Sequence, residues 1–241
     1  VFFGAYSFCG CVLPEEVECY NLFMTRIAIN GFGRIGRLFL RLGMTEPNLE
    51  FAAINDLGSA ENLAYLLKYD SVYRAYPGEV EVRNKAGKNF LAVDDKEILF
   101  LGEKDPAKLP WRDLKIDIAV EATGVFESYE KAKVHLTAGA KRVVITAPAK
   151  DPDGAEGKTI LIGVNDDEAR AVVLTSNGSC TTNAASPVIQ IMSENPGIKK
   201  AILNTVHGYT ATQNLVDGPT KGNDLRRGRA ASQNIVPSTT G

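Results

Sequence analysis

The sequence predicts an α/β protein built on a doubly wound, largely parallel sheet. Three observations lead there. Short apolar runs with little polar alternation recur along the chain, stretches with helical spacing separate them, and a glycine-rich turn joins the first run to the first helical stretch. The 241 residues are 44% hydrophobic and carry a formal net charge of -2, which suits a globular protein of one or two domains. That balance, with no basic stripe, argues against a general nucleic-acid binder. No apolar run reaches about 18 residues, so no transmembrane helix is expected.

Taken in order, Arg26-Ile27-Ala28-Ile29 reads as a buried parallel strand and about 34–45 as a helix that Pro47 does not continue. Residues 51–54 form the second strand. Ser59 is placed to cap a second helix, with Leu63, Leu66 and Leu67 as its apolar face. Residues 80–101 alternate in short stretches broken at 84–87 and 94–95, which predicts an inserted hairpin or meander. Strands are expected again over 116–120, 142–146, 159–164 and 198–206, with a helix over 128–138. His135 falls in that helix and reads as structural. The predicted division is an extension over 1–23, disordered or foreign to the rest, then a nucleotide-binding domain over 24–176 and the start of a second domain over 177–241.

Cysteines are uneven. Cys9, Cys11 and Cys19 lie in the extension, and Cys180 stands alone in the remainder, so the main body has no disulfide framework and suits a reducing cytoplasm. Cys9-Gly10-Cys11 lacks the spacing and partners of a zinc site, and no metal is expected.

Gly31-Phe32-Gly33-Arg34-Ile35-Gly36 fits the dinucleotide fingerprint G-x-G-x-x-G. It follows a strand, opens a helix, and has Asp56 lying 25 positions after Gly31. Gly31 serves the tight turn, Gly33 the approach of a pyrophosphate, and Gly36 close packing of helix on strand. A carboxylate at Asp56 suits ribose hydroxyls and repels a 2′-phosphate, which favours NAD over NADP. The pattern is that of a Rossmann-type domain.

Ser179-Cys180-Thr181-Thr182-Asn183 follows the turn signal Asn177-Gly178, and Val188, Ile189 and Met192 then recur at helical spacing. Cys180 is therefore expected at a helix N-terminus, where free N–H groups stabilise a thiolate. Pro187 should kink or break that helix. Placement alone leaves Cys180 between an inert thiol and a nucleophile. His207, at the end of an apolar run and followed by Gly208, is the candidate base, or else a turn residue.

At these residues the chain resembles the glyceraldehyde-3-phosphate dehydrogenases. The likeness rests on segments 28–37, 54–57, 69–72, 122–126 and 146–150, and above all on Ser179-Cys180-Thr181-Thr182-Asn183 and the segment from His207 to Gln213. The Cys180-to-His207 separation of 27 residues also fits. The resemblance implies an NAD-binding domain followed by an α+β catalytic domain, incomplete in this chain, in a cytoplasmic homotetramer. It implies oxidation of D-glyceraldehyde 3-phosphate to 1,3-bisphosphoglycerate, with inorganic phosphate and NAD, in glycolysis or gluconeogenesis. Cys180 is the implied nucleophile and His207 its base. Gly31, Phe32, Gly33, Arg34, Ile35, Gly36, Asp56, Thr123, Gly124 and Thr146 are the implied cofactor contacts. Ser179, Thr181, Thr210, Arg226, Thr240 and Gly241 are the implied phosphate contacts. Taken without the resemblance, Arg226 reads as part of a solvated basic loop with Arg227 and Arg229.

The chain departs from the family pattern in its first 23 residues, at Ala184, where many members carry a second cysteine, and in stopping at Gly241. Members continue for roughly another ninety residues, which predicts a half-built second domain. Two other readings follow: a catalytically inactive fragment that retains NAD binding, and a sister enzyme acting on erythrose 4-phosphate.

Overall fold

A computed structural model describes residues 24–220 and 222–240. The extension over 1–23 and Gly241 lie outside the described residues. The first half builds β1 (Thr25–Asn30), α1 (Arg34–Gly43), β2 (Leu49–Asn55), α2 (Ala60–Lys68), the small pair β3 (Tyr69–Asp70) and β4 (Arg74–Ala75), then β5 (Val80–Lys85), β6 (Lys88–Val93) and β7 (Lys96–Leu101). The second half adds β8 (Ile118–Glu121), α3 (Tyr129–Ala132), α4 (Val134–Ala138), β9 (Arg142–Ile145), β10 (Gly157–Thr159), β11 (Leu174–Ser176) and α5 (Cys180–Glu194).

The strands form one nine-stranded sheet in the order β10-β11-β9-β8-β1-β2-β7-β6-β5. Every pairing from β10 to β7 is parallel. The order runs outward from β1 in both directions, so the topological switch lies between β1 and β8. In such sheets ligands sit in the crevice beyond the carboxyl ends of the strands at the switch. Here those ends are Asn30 and Glu121, paired in register.

Alternate residues of β1 serve opposite faces. Ile27 and Ile29 pack with Ile54, Leu63, Leu67 and Leu40 on one side, and Ala28 packs with Ala53, Ala119, Trp111 and Ile116 on the other. Burial on both faces explains the continuous apolar runs. α1 buries Gly36, Leu40 and Gly43 at helical spacing. The Ser59 hydroxyl caps α2, accepting from Asn62 N–H at 3.1 Å. The inward face of α2 is Ala60, Leu63, Ala64 and Leu67, whereas Leu66 is exposed, correcting its expected place.

The meander expected over 80–101 is present as β5–β6–β7, joined by two-residue turns at Ala86-Gly87 and Asp94-Asp95. Ala86 (φ 51°) and Gly87 (φ 75°) both have positive φ, as a right-twisting hairpin requires. β7 then pairs in parallel with β2 and merges the meander into the main sheet.

Several expectations are corrected. The helix over 128–138 is two short helices that meet at Lys133. The strand expected over 159–164 ends at Thr159, because the Asn165 side chain donates to Thr159 O (2.9 Å) and accepts from Leu161 N–H (2.8 Å), taking groups a ladder would need. Residues 198–206 form no strand: Ile202 is 98% exposed, and no described strand pairs with the segment. An apolar run extends into a sheet only where another strand's edge accepts its hydrogen bonds. Pro187 sits inside α5, which continues through it to Glu194.

Candidate active site

Two groups of side chains stand out, one at the sheet switch and one at the start of α5. At the switch, Gly31 has φ 95°, and a Cβ there would lie 2.6 Å from Ala122 C and Thr123 N. The glycine turn and the 122–124 turn thus touch through backbone atoms. At Gly36 an added Cβ would overlap the Gly31 carbonyl oxygen, so close packing of α1 on β1 requires glycine. Gly33 differs: nothing lies within 4 Å of its would-be Cβ, and Gly33, Arg34 and Ile35 face solvent.

The first turn of α1 has no side-chain cap and no acidic residue. Its N–H groups are therefore available to an anion, with the helix dipole favouring negative charge. Asp56 accepts Phe32 N–H at 2.6 Å and Gly58 N–H at 2.8 Å, so one carboxylate holds both the glycine turn and the loop after β2. Phe32 contributes this backbone donor while its ring is fully buried in the core. The open space before Gly33, the uncapped helix start and the acid at the end of β2 together fit a dinucleotide pyrophosphate and ribose.

Arg34 pairs with Asp70 and lies over the Tyr73 ring, 5.6 Å from its centroid. Burial pushes the Asp70 carboxyl up, but the N–H groups of Tyr73 and Val72 and the Arg34 guanidinium outweigh it and hold it at about 2. Thr146 donates its hydroxyl to the Glu121 carbonyl at 3.1 Å, and Thr123 and Gly124 lie on the exposed turn after β8.

At the second group, the Ser179 hydroxyl caps α5 by accepting Thr182 N–H at 3.0 Å. It also lies 2.9 Å from the Thr181 hydroxyl, and the Asn183 amide donates to Asn177 O at 2.6 Å. These contacts present Cys180, an exposed free thiol, on the first turn of the helix. Its Sγ lies 3.2 Å from His207 Nε2. The His207 Nδ1–H donates to the Gly208 carbonyl at 2.6 Å, which leaves Nε2 as the acceptor facing the thiol. The His207 contact lowers the Cys180 thiol; burial opposes it, and the charge of His207 and the N–H groups of Thr181 and Cys180 add to the lowering. His207 is raised, first by the Gly208 carbonyl and then by Cys180. Both shifts favour a thiolate–imidazolium pair.

Thr210, Arg226 and Thr240 have partners of their own. Arg226 is held by Asp224, with Nε to Oδ1 at 2.8 Å. The Thr210 hydroxyl lies 2.9 Å from that of Thr212, which accepts from Arg227 at 2.6 Å, and the Thr240 hydroxyl meets that of Thr205 at 3.1 Å. No hydrogen bond among the described residues joins Thr210, Arg226 or Thr240 to the Cys180–His207 pair. An open hollow of about 640 Å³ lies over Asp224, Arg226, Arg227 and Ser238.

Sequence reasoning passed over Glu121 and Trp111, which form a buried cluster behind the switch with His135, the histidine read above as structural. The available signal was Glu121 itself, a carboxylate closing an otherwise apolar strand run.

Fold and site define a Rossmann-type α/β protein in which an exposed cysteine thiol and a histidine lie within hydrogen-bond distance. Comparison with known proteins narrows this. The family model described as glyceraldehyde 3-phosphate dehydrogenase, NAD binding domain, matches residues 25–129, and that of the C-terminal domain of the same enzyme matches 179–241. The glyceraldehyde-3-phosphate dehydrogenase of Thermotoga maritima is 50% identical over 221 residues, covering 90% of this chain and 63% of its own length. Glyceraldehyde-3-phosphate dehydrogenase 1 of Trichormus variabilis is 48% identical over 218 residues, covering 90% and 62%. Glyceraldehyde-3-phosphate dehydrogenase 2 of Bacillus subtilis is 47% identical over 218 residues, covering 90% and 61%. The chain belongs to the glyceraldehyde-3-phosphate dehydrogenase family. It spans somewhat under two thirds of the length of these relatives.

Proposed function

We propose that this chain carries the cofactor site and nucleophile of an enzyme that oxidises D-glyceraldehyde 3-phosphate to 1,3-bisphosphoglycerate, using NAD and inorganic phosphate. The observation that carries the reading is the 3.2 Å contact between Cys180 Sγ and His207 Nε2, at the start of a helix that follows a dinucleotide-type sheet. Bound NAD supplies the hydride acceptor. The first turn of α1 and the Gly33 opening would hold its pyrophosphate, and Asp56 would hold the adenosine ribose.

The thiol proton passes to His207 Nε2, and the Cys180 thiolate attacks the aldehyde carbon. The alkoxide that forms takes that proton and becomes a hemithioacetal hydroxyl. His207 withdraws the proton again as hydride leaves the carbon, and a thioester remains on Cys180. Inorganic phosphate attacks the thioester carbonyl, the C–S bond breaks, and the Cys180 thiolate is restored with release of the acyl phosphate. Covalent capture divides one hard step into easier ones. Ser179, Thr181, Thr210, Arg226, Thr240 and Gly241 are proposed as contacts to the two phosphates, with a charged guanidinium and hydroxyls suited to that task.

The proposed domain division is 24–176 and 177–241. A homotetramer in a reducing cytoplasm, acting in glycolysis or gluconeogenesis, completes the reading, supported by family membership and by the free Cys180 thiol. No described helix is long and apolar enough to cross a membrane.

A second reading, that this 241-residue chain binds NAD without turnover, is favoured by one observation: α5 buries none of its residues. The nucleophile therefore rests on a helix without a packed core beneath it among the described residues.

The test is NADH formation from glyceraldehyde 3-phosphate, with and without inorganic phosphate, alongside calorimetric NAD binding. Phosphate-dependent NADH that Cys180→Ser abolishes supports the dehydrogenase. NAD binding without NADH supports the second reading. Failure to bind NAD sinks both.

A further inference from the structure

We propose that Glu121 is a positioning residue that locks the two turns of the cofactor crevice together; this rests on the dinucleotide site described above. Glu121 closes β8 and is 2% exposed. A buried carboxylate is costly unless its oxygens are fully engaged. Here both are. On one side Glu121 Oε2 accepts the Asn30 amide at 2.6 Å and meets His135 Nε2 at 2.9 Å. On the other, Oε1 accepts Thr123 N–H at 2.8 Å and the Thr123 hydroxyl.

The partners explain what the cluster does. Asn30 directly precedes Gly31, and Thr123 is the residue whose N atom would lie 2.6 Å from a Cβ on Gly31. One carboxylate thus fixes the end of β1 and the turn after β8, the two walls of the switch crevice. The tie extends to β2, where Asn55 donates to Asn30 Oδ1 at 2.8 Å and accepts Glu103 N–H at 2.8 Å. Asn55, Asn30 and Glu121 lie side by side in the parallel register.

Behind the carboxylate, Trp111 Nε1–H donates to His135 Nδ1 at 3.1 Å. With Nδ1 accepting, the ring proton sits on Nε2 and is donated to Glu121. Trp111 and His135 are both fully buried. Their polar contacts reach the crevice walls through Glu121 and, at 3.5 Å from His135 Nε2, through the Asn30 amide.

The arrangement demands a carboxylate rather than an amide. Glutamine offers one acceptor oxygen and one NH₂ group, and donors face both positions. Turned one way, its NH₂ opposes Asn30 and His135; turned the other, it opposes Thr123 N–H. A freed turn no longer holds its N–H groups against the nucleotide.

The test uses the full chain as wild type, Glu121→Gln, Trp111→Phe and Val143→Ala, the last a core truncation in β9 outside the hydrogen bonds of the Glu121 cluster. Calorimetry measures NAD affinity well below each melting temperature, and amide hydrogen exchange reads residues 31–36 and 122–124 without ligand. Glu121→Gln should weaken NAD about tenfold, the effect of orphaning one buried donor, and speed exchange at the Thr123 N–H. Trp111→Phe should do the same by about threefold. Val143→Ala should melt earlier with neither change. Wild-type NAD affinity in Glu121→Gln, or unchanged Thr123 exchange, overturns the proposal. If Glu121→Gln does not fold, Trp111→Phe carries the test, and its wild-type behaviour is the overturning result. If the wild type binds no NAD, the functional reading fails separately, and exchange at Thr123 alone decides whether Glu121 locks the turns.

Discussion

Two glycines in one turn should fail in opposite ways. Gly31→Ala places a Cβ 2.6 Å from backbone atoms of Ala122 and Thr123, at a residue with φ 95°. The positive φ alone costs an alanine about 1–2 kcal/mol. To restore ordinary contact at 3.4 Å the 122–123 backbone must retreat by about 0.8 Å, an overpacking strain of about 1–3 kcal/mol. The sum is about 2–5 kcal/mol, or roughly 4–20 °C in melting temperature for a chain of this size. Gly33→Ala has φ -70° and no atom within 4 Å of the new Cβ. It should melt within about 2 °C of wild type, because the backbone accepts alanine without strain. Its methyl group fills the space proposed for the pyrophosphate, so NAD affinity should fall at least about tenfold, a loss of about 1.4 kcal/mol. Differential scanning calorimetry and isothermal titration on the two variants separate the effects. A Gly31→Ala protein as stable as wild type, or a Gly33→Ala protein that binds NAD normally, would refute this geometry.

Asp70 gives a pH-dependent prediction. Its folded pKa of about 2 lies below the ordinary 3.8, so its stabilisation is full above the unfolded value and is lost as pH falls through the folded one. Asp70→Asn should cost about 1–2 kcal/mol at pH 7, and urea titrations should show that gap closing between about pH 4 and pH 2. A gap independent of pH contradicts the ionic origin. Ser179→Ala removes the acceptor for Thr182 N–H and should cost the start of α5 about 1 kcal/mol. Local amide exchange at 180–183 should quicken and alkylation of Cys180 should slow, and unchanged alkylation would separate the cap from the thiol.

Much of the fold was legible because the sheet is buried on both faces. β1, β2 and β8 had to be apolar throughout, and the glycines at 31 and 36 answer steric demands that no other residue meets. The capping of α2 by Ser59 was legible for a similar local reason. What failed depended on distant partners. Residues 198–206 have the composition of a strand, but strand formation depends on a neighbouring edge. Thr159 ends its strand because Asn165 competes for the backbone, a contact that apolar patterning does not register. At the thiol, the sequence identified Cys180 and His207 as candidates but could not say that they meet, since they lie 27 positions apart and no periodic pattern fixes the path of the chain after α5. The Glu121 cluster escaped because its members, from Asn30 to His135, come together only through strand register and helix placement.

The most direct measurement is the rate of Cys180 alkylation by iodoacetamide against pH, followed by mass spectrometry of the Cys180 peptide, in wild type and His207→Gln. Thiolate appears as pH rises through the thiol pKa, which His207 lowers. The wild-type profile should therefore turn upward below the ordinary thiol range, and His207→Gln should move the inflection higher and slow alkylation at neutral pH. Superimposable profiles would contradict a thiol activated by His207.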